Sequence, residues 1–233
     1  MIRGLSVQAV IPARGGSKGV PGKNLRTIAG QPLLAYGVNA ALHAAEVDRT
    51  FVSTDSAAIA DAARNLGADV ITRPAEISGD AASSESALLH ALDDIERRGE
   101  PVPDVLVMIQ CTSPLTLPED VSGTLEAMVD AAADCAFAAS EFFHFLWKRA
   151  PDGGAIAVNH LMTHRPRRQE REVEFLEAGS VYAMRVPGFR RAKHRFFGKA
   201  ALHVVPPSRC LEIDEEDDIV RAEAALAAFR SRS

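Results

Sequence analysis

The sequence predicts an α/β protein, a mostly parallel sheet with helices packed on both faces. Three observations carry that expectation. Short apolar runs alternate with segments of helical spacing along most of the chain. The runs are apolar at successive positions, as strands buried on both faces require. With 233 residues, 47% apolar and 24% charged, the chain can bury a sizeable core, and wholesale disorder is excluded.

Val7–Ala13 (VQAVIPA) is the first apolar run and ends at a glycine-rich loop, so it reads as a buried strand. A helix is expected from Pro32, with Leu33, Leu34, Val38, Ala41 and Leu42 on one face. Proline is tolerated in a first helical turn, where its missing N–H would lack a partner anyway. Thr50–Thr54 is a strand, and Asp55 or Ser56 can cap the helix that runs through Leu66. After the short strand Val70–Thr72, Ser83 or Ser84 can cap a helix over Glu85–Arg98, where Ser84, Leu88, Leu92 and Ile95 keep helical spacing. Val105–Ile109 is an apolar strand, Pro118 opens a helix to about Ala131, and Cys135–Ala139 is another strand.

The alternation breaks at Glu141. Residues from about 141 to 177 read as an insertion within one domain spanning 1–233; it begins with Phe142, Phe143, Phe145 and Trp147 and continues to the basic Arg165, Arg167 and Arg168. Strand Gly179–Met184, a short helix near Gly188–Ala192, strand Leu202–Val205 and a last helix from about Glu216 to Phe229 complete the pattern.

Charge is unevenly laid out. The net charge of −5, from 26 basic and 31 acidic residues, argues against a nucleic-acid partner. No acid precedes Glu46, while Arg3, Arg14, Lys18, Lys23 and Arg26 do. A second acid-free stretch between Glu177 and Glu212 holds Arg185, Arg190, Arg191, Lys193, Arg195, Lys199 and Arg209, to which the sequence assigns no role. Glu212, Asp214, Glu215, Glu216, Asp217 and Asp218 then arrive together. Cys111, Cys135 and Cys210 form no C-x-x-C pair, and no run approaches the roughly 20 apolar residues of a membrane span. These features predict a soluble, cytoplasmic protein with no membrane partner.

The segment Ala13-Arg14-Gly15-Gly16-Ser17-Lys18-Gly19-Val20-Pro21-Gly22-Lys23-Asn24 follows the first strand directly. Its glycines let backbone N–H groups approach an anion, and three cations add to them, so the segment suits a polyphosphate. It is neither G-x-x-x-x-G-K-[ST] nor G-x-G-x-x-G. The run IPARGGSKGVPGKNL resembles the signature of the acylneuraminate cytidylyltransferases, the CMP-sialic acid synthetases. The resemblance continues in order through VSTDS (52–56), RPAE (73–76), DAASS (80–84), QCTSPL (110–115), GSVY (179–182) and EID (212–214). It is weakest over 141–175.

The resemblance implies a Rossmann-like nucleotide-diphospho-sugar transferase fold. The implied reaction couples CTP to a sialic-acid-like (nonulosonic) acid sugar, releases pyrophosphate, and uses Mg²⁺ (or Mn²⁺). Arg14, Gly15, Ser17, Lys18, Lys23 and Asn24 then grip the nucleotide phosphates. Arg73 and Ser84, with Asn24, lie near the cytidine. Gln110, Thr112, Ser113, Tyr182 and Gln169 fall to the acid sugar. Glu212 and Asp214 hold the metal, and Arg14, Lys23 and Asp214 act on the reacting phosphates. The insertion is expected to form a homodimer.

The residues themselves are compatible with these roles. In a strand, positions 212 and 214 project from one face. Glu216, Asp217 and Asp218 suit a helix N-terminus, where the dipole favours acids. Asp55 sits where α/β proteins bind ligands, although a helix cap is its more ordinary role. Cys111 reads as a small core or pocket-wall thiol, because this chemistry needs no thiol nucleophile. His144, His160 and His164 form no compact zinc motif. The insertion's aromatics suit packing in the core or a dimer better than a sugar pocket, and Arg165, Arg167 and Arg168 either reach a carboxylate or lie solvated. Glu212 stands where the family usually has Asp, and Cys111 where it has Pro. The Q-G-D-E-P pattern of Kdo-activating relatives is absent. Alternatives are a legionaminate-, pseudaminate- or phosphonate-type acceptor, another NTP, or a non-catalytic nucleotide-binding regulator.

Overall fold

In the computed structural model, which describes residues 1–231, the first apolar run forms β1 (Val7–Pro12). A small hairpin of β2 (Thr27–Ile28) and β3 (Gln31–Pro32) leads into α1 (Leu33–His43), with Pro32 as its N-cap rather than its first helical residue. Then come β4 (Arg49–Thr54), α2 (Ala57–Asn65), β5 (Asp69–Thr72), α3 (Ser84–Arg97), β6 (Val105–Ile109) and α4 (Pro118–Asp130). The second half holds β7 (Cys135–Phe142), β8 (Trp147–Arg149), β9 (Ala155–Ala157), β10 (Glu174–Arg185), α5 (Val186–Ala192), β11 (Ala200–Val204) and α6 (Glu216–Arg230).

Seven strands make one sheet in the order β11-β7-β10-β6-β1-β4-β5. β10 runs antiparallel to both its neighbours, and every other pairing in this sheet is parallel. Alternate side chains leave the central strands on opposite faces. Ala9, Ile11, Val105, Val107 and Ile109 pack with Leu34, Val38, Val121 and Leu125 of α1 and α4. Val10, Leu106 and Met108 pack with Leu88, Leu92 and Ile95 of α3 and Phe189 of α5. Every residue of β6 is buried. At about 1.5–3 kcal/mol per fully buried large apolar side chain, these central strands anchor the fold.

β7 and β10 reach further than the apolar pattern suggests. Glu174–Glu177 pair with Phe142–Ala139, beyond the predicted break at Glu141. Their sequence looks irregular because each strand's backbone partner lies some 30 residues away, outside any local window. These strand ends and the separate two-stranded sheet of β8 and β9 make up an arm with many exposed side chains.

The second basic stretch is a set of clamps. Arg185 donates to the Ala133 carbonyl (3.0 Å), Arg190 to Glu96 (2.7 Å), Arg195 to Glu85 (2.7 Å) and Lys199 to the Ala131 carbonyl (2.5 Å). Arg209 grips both carboxylate oxygens of Asp120, at 2.8 and 3.0 Å. That pair fastens the segment after β11 to the start of α4. No helix among the described residues is long and apolar enough to cross a membrane.

The Asp120 side chain is only 4% exposed, so removing its partner strands a buried carboxylate. Arg209→Met should lower the unfolding free energy by about 3–5 kcal/mol, read as a reduced urea midpoint at neutral pH.

Candidate active site

The sheet order reverses around β1: β4 and β5 lie on one side, β6 on the other. A cavity of about 420 Å³ opens there, at the carboxyl ends of the strands, where open α/β sheets bind ligands. Its walls come from five separate segments. Arg14, Ser17, Lys18, Gly19, Lys23 and Asn24 follow β1; Arg73 follows β5; Asp80 and Ser83 precede α3 and Ser84 opens it; Gln110, Cys111 and Thr112 follow β6; Glu212 and Asp214 precede α6.

The loop after β1 is held from both sides. The Asn24 side-chain amide donates to the Arg14 carbonyl (2.9 Å), closing the loop on itself. The Gly15 N–H donates to Asp55 (2.8 Å). Asp55 is thereby used on the loop, and Ser56 takes the cap of α2, accepting from the Ile59 N–H. A Cβ on Gly19 would overlap the Asp214 carbonyl oxygen, so glycine is required where the two walls meet.

The acid-free look of this loop is a property of the chain, not of the fold. Asp80 pairs with Arg14 (3.0 Å) and with Lys18 (2.7 Å), and these cations hold its carboxyl below the usual range. Lys23, whose side chain is 14% exposed, donates to the Ile213 carbonyl (2.7 Å) and pairs with Asp214 (3.1 Å).

Glu212 and Asp214 do not lie in a strand. They flank Ile213 in an irregular segment between β11 and α6. Ile213 is fully buried and its N–H donates to the Thr112 carbonyl (2.9 Å). Anchoring the middle residue turns its two neighbours to the cleft, the outcome strand alternation would have given. Asp218 accepts from the Asp214 and Glu215 N–H groups (3.0 and 2.9 Å), and these bonds lower its pKa. Glu216–Asp218 thus occupy the first turn of α6, as expected.

Glu212 accepts from the Gln110 amide (2.7 Å). Burial pushes its carboxyl up to about 7, and the nearby Asp214 and Glu177 charges add to the rise. Glu212 and Asp214 both line the cleft, and the repulsion between them is what a hard divalent cation held by oxygen ligands would relieve. No group of three or more His, Cys, Asp or Glu among the described residues forms a self-sufficient metal site.

Arg73 is buried against β4, donating to the Ser53 hydroxyl and carbonyl (3.2 and 2.7 Å), and burial lowers its pKa. Ser83 caps α3 by accepting from the Ser86 N–H (3.1 Å), which leaves the Ser84 side of the cap on the cleft. Cys111 is a buried wall thiol, pushed up to about 12 by burial.

Four of the expected site residues do not line this cleft. Gly15 lies in the loop but faces Asp55. Ser113 is buried and donates to the Gly179 carbonyl (2.9 Å). Tyr182 is 2% exposed in the core, its hydroxyl donating to Glu177. Gln169 sits on the exposed turn Arg168–Glu170 of the arm. Asp80 is the wall residue whose chemistry the sequence did not single out, although the DAASS motif that contains it was visible.

A family model described as Cytidylyltransferase matches residues 8–179. The chain belongs to the cytidylyltransferase family. It is 34% identical over 228 residues to an N-acylneuraminate cytidylyltransferase of Oncorhynchus mykiss, covering 96% of this chain and 51% of that protein. A CMP-N,N'-diacetyllegionaminic acid synthase of Legionella pneumophila is 39% identical over 125 residues, 52% of this chain and 53% of that one. The chain spans about half the length of the curated relatives it matches. The fold is shared with a CMP:2-keto-3-deoxy-manno-octonic acid synthetase solved with CTP, at a TM-score of 0.71 and 21% identity over 96% of this chain and 99% of the other.

The raised Glu212 pKa has a defined sign. The folded protein holds this proton between the ordinary value of 4.5 and about 7, where the unfolded chain has lost it. Folding stability contributed by this group is therefore present below pH 4.5 and declines as pH rises toward 7. In metal-free buffer, Glu212→Gln should gain stability relative to the parent as pH is raised through that window, measured by thermal unfolding.

Proposed function

We propose that the chain is a CTP-dependent cytidylyltransferase that activates a nonulosonic acid sugar as its CMP conjugate. The observation that supports this most directly is the single cleft in which Arg14, Lys18 and Lys23 meet Glu212 and Asp214 at the carboxyl edge of the sheet. Family membership and the relatives' names supply the nucleotide and the acceptor class. The legionaminic relative widens that class beyond sialic acid.

In this reading the triphosphate competes with Asp80 for Arg14 and Lys18 and lies along the glycine-rich loop. An acceptor hydroxyl attacks the α-phosphorus and gives up its proton to water. A new P–O bond forms, the bond to the α–β bridging oxygen breaks, and pyrophosphate leaves with the negative charge. Such transfers depend on positioning and charge neutralisation rather than covalent participation by the protein. Lys23 and Arg14 neutralise charge on the phosphates. Glu212 and Asp214 would hold a Mg²⁺ (or Mn²⁺) ion, which when bound offsets charge building on the phosphate oxygens. Arg73 and Ser84 border the nucleoside end, and Gln110 and Thr112 the acceptor end. Gln169 and Tyr182, away from the cleft lining, shape the acceptor side from the arm and from the core.

We place this activity in the cytoplasm, in keeping with three free cysteines. We also assign a homodimer to the arm. Nine of the fourteen large apolar side chains exposed among the described residues lie between 146 and 176, with Trp147 50%, Leu161 70% and Met162 67% exposed. Arg168 stacks over Phe143 at 3.6 Å, and Arg165 and Arg171 over Phe145 at 4.6 and 4.4 Å, so the arm has an ordered face to present.

Incubation with CTP, Mg²⁺ and a panel of nonulosonic acids should release pyrophosphate and yield a CMP-linked product by mass spectrometry. Asp214→Asn should lower turnover roughly 100-fold with the circular dichroism spectrum unchanged. No product with any acid and no CTP binding would sink the proposal. Replacing Leu161 and Met162 together by Asp should halve the mass measured by sedimentation equilibrium; a parent that is already monomeric would refute the dimer.

A further inference from the structure

From its contacts we infer that Arg195 is a positioning residue for the acceptor side of the cleft, acting through the side-chain amide of Gln110. This inference rests on the proposed cytidylyltransferase reading and adds to it a residue outside the cleft. Arg195 lies in the acid-free stretch between α5 and β11 and does not line the cavity. Its side chain is 16% exposed, and that of its partner Glu85 is 12% exposed.

A primary amide has two ends of nearly equal size, and only its partners decide which way round it sits. At Gln110 the partners leave no ambiguity. Its Nε2 donates to Glu212 Oε1 (2.7 Å), and its Oε1 accepts from Arg195 Nη1 (3.4 Å). A guanidinium only donates, so the end of the amide facing Arg195 is its carbonyl and the N–H end is left for Glu212. One amide N–H and one carbonyl lone pair of Gln110 stay available to a ligand in the cleft. Arg195 is itself fixed on two further sides. Its Nε donates to Glu85 Oε1 (2.7 Å), and its guanidinium lies 4.7 Å over the Tyr182 ring. The Tyr182 hydroxyl is tied to Glu177, and the next residue, Phe196, packs edge-on against Phe137 at 5.2 Å.

The fork matters as much as the charge. Arg195 uses one nitrogen on Glu85 and another on Gln110. A lysine there keeps a cation for Glu85 but, as a point charge, cannot hold both groups in fixed geometry. Gln110 then keeps only its bond to Glu212, so its amide is held at one end and its carbonyl is no longer fixed toward the acceptor side. The nucleotide side, built from Arg14, Lys18, Lys23 and Arg73, is untouched.

The test compares KM for the acid sugar, Kd for CTP and the unfolding midpoint in the full-length chain. Arg195→Lys should raise the acceptor KM roughly tenfold while CTP affinity stays within about twofold. In a Gln110→Ala background, Arg195→Lys should add no further rise, because residues acting through one another are not additive. Glu85→Gln, which loosens the anchor of Arg195 while keeping an acceptor for it, should show the same split and serves where Arg195→Lys fails to fold. An unchanged acceptor KM in a parent that turns over would overturn this inference alone, as would an equal rise in the Gln110→Ala background. A parent with neither turnover nor CTP binding would overturn the functional reading and this inference with it.

Discussion

Lys23 joins the two walls of the cleft. Its ammonium reaches the Ile213 carbonyl at 2.7 Å and the Asp214 carboxylate at 3.1 Å, across 190 residues of sequence. The glycine loop after β1 and the acidic segment before α6 therefore stand at a set separation. Gly19 enforces the same contact sterically, since nothing larger fits against the Asp214 carbonyl oxygen. Cations and carboxylates thus meet in one cavity, Lys23 paired with Asp214 and both Arg14 and Lys18 with Asp80. The buried Ile213 holds Glu212 and Asp214 toward the cleft, and the Arg209–Asp120 clamp holds the same segment from behind.

Charge in this protein follows a division of labour that its net value hides. In the first basic stretch Arg14, Lys18 and Lys23 line the cavity, where Asp80 and Asp214 pair with them, while Arg3 and Arg26 pair outside it with Asp130 and Glu216. In the second stretch, Arg185, Arg190, Arg195, Lys199 and Arg209 each meet a carboxylate or a carbonyl of the body. Guanidinium groups suit this task because their planar fork can bind two acceptors at once. Arg195 belongs to both kinds, structural through Glu85 and close to the chemistry through Gln110.

Much of the fold was legible because the strands that form its centre are apolar on both faces and short, a pattern that helices do not share. β1, β4, β5 and β6 appear within a residue or two of their expected places. The ends of β7 and β10 were not legible, because their pairing partners are distant and their exposed residues carry no periodic signal. In the site, Arg14, Lys18 and Lys23 could be read from one loop. Asp80 as their counter-ion could not, because its approach depends on how the segment before α3 crosses the sheet edge. Asp55 shows the same limit: its sequence position fits a cap, and only the nearby Gly15 N–H draws it away.

By itself the sequence determined the fold class, the order of most elements, the glycine-rich phosphate loop and the family to which the chain belongs. Those properties rest on local composition, on spacing and on ordered motifs, which a linear string records. The tertiary structure decided which of the marked residues share a space. It put Arg14, Lys23, Gln110, Glu212 and Asp214 around one cavity, left Gln169 on the arm and Tyr182 in the core, and paired Arg195 with Glu85. Electrostatic and hydrogen-bonded contacts act over a few ångströms in space, so separations of 100 or 200 residues along the chain carry no information about them until the sheet brings its edges together.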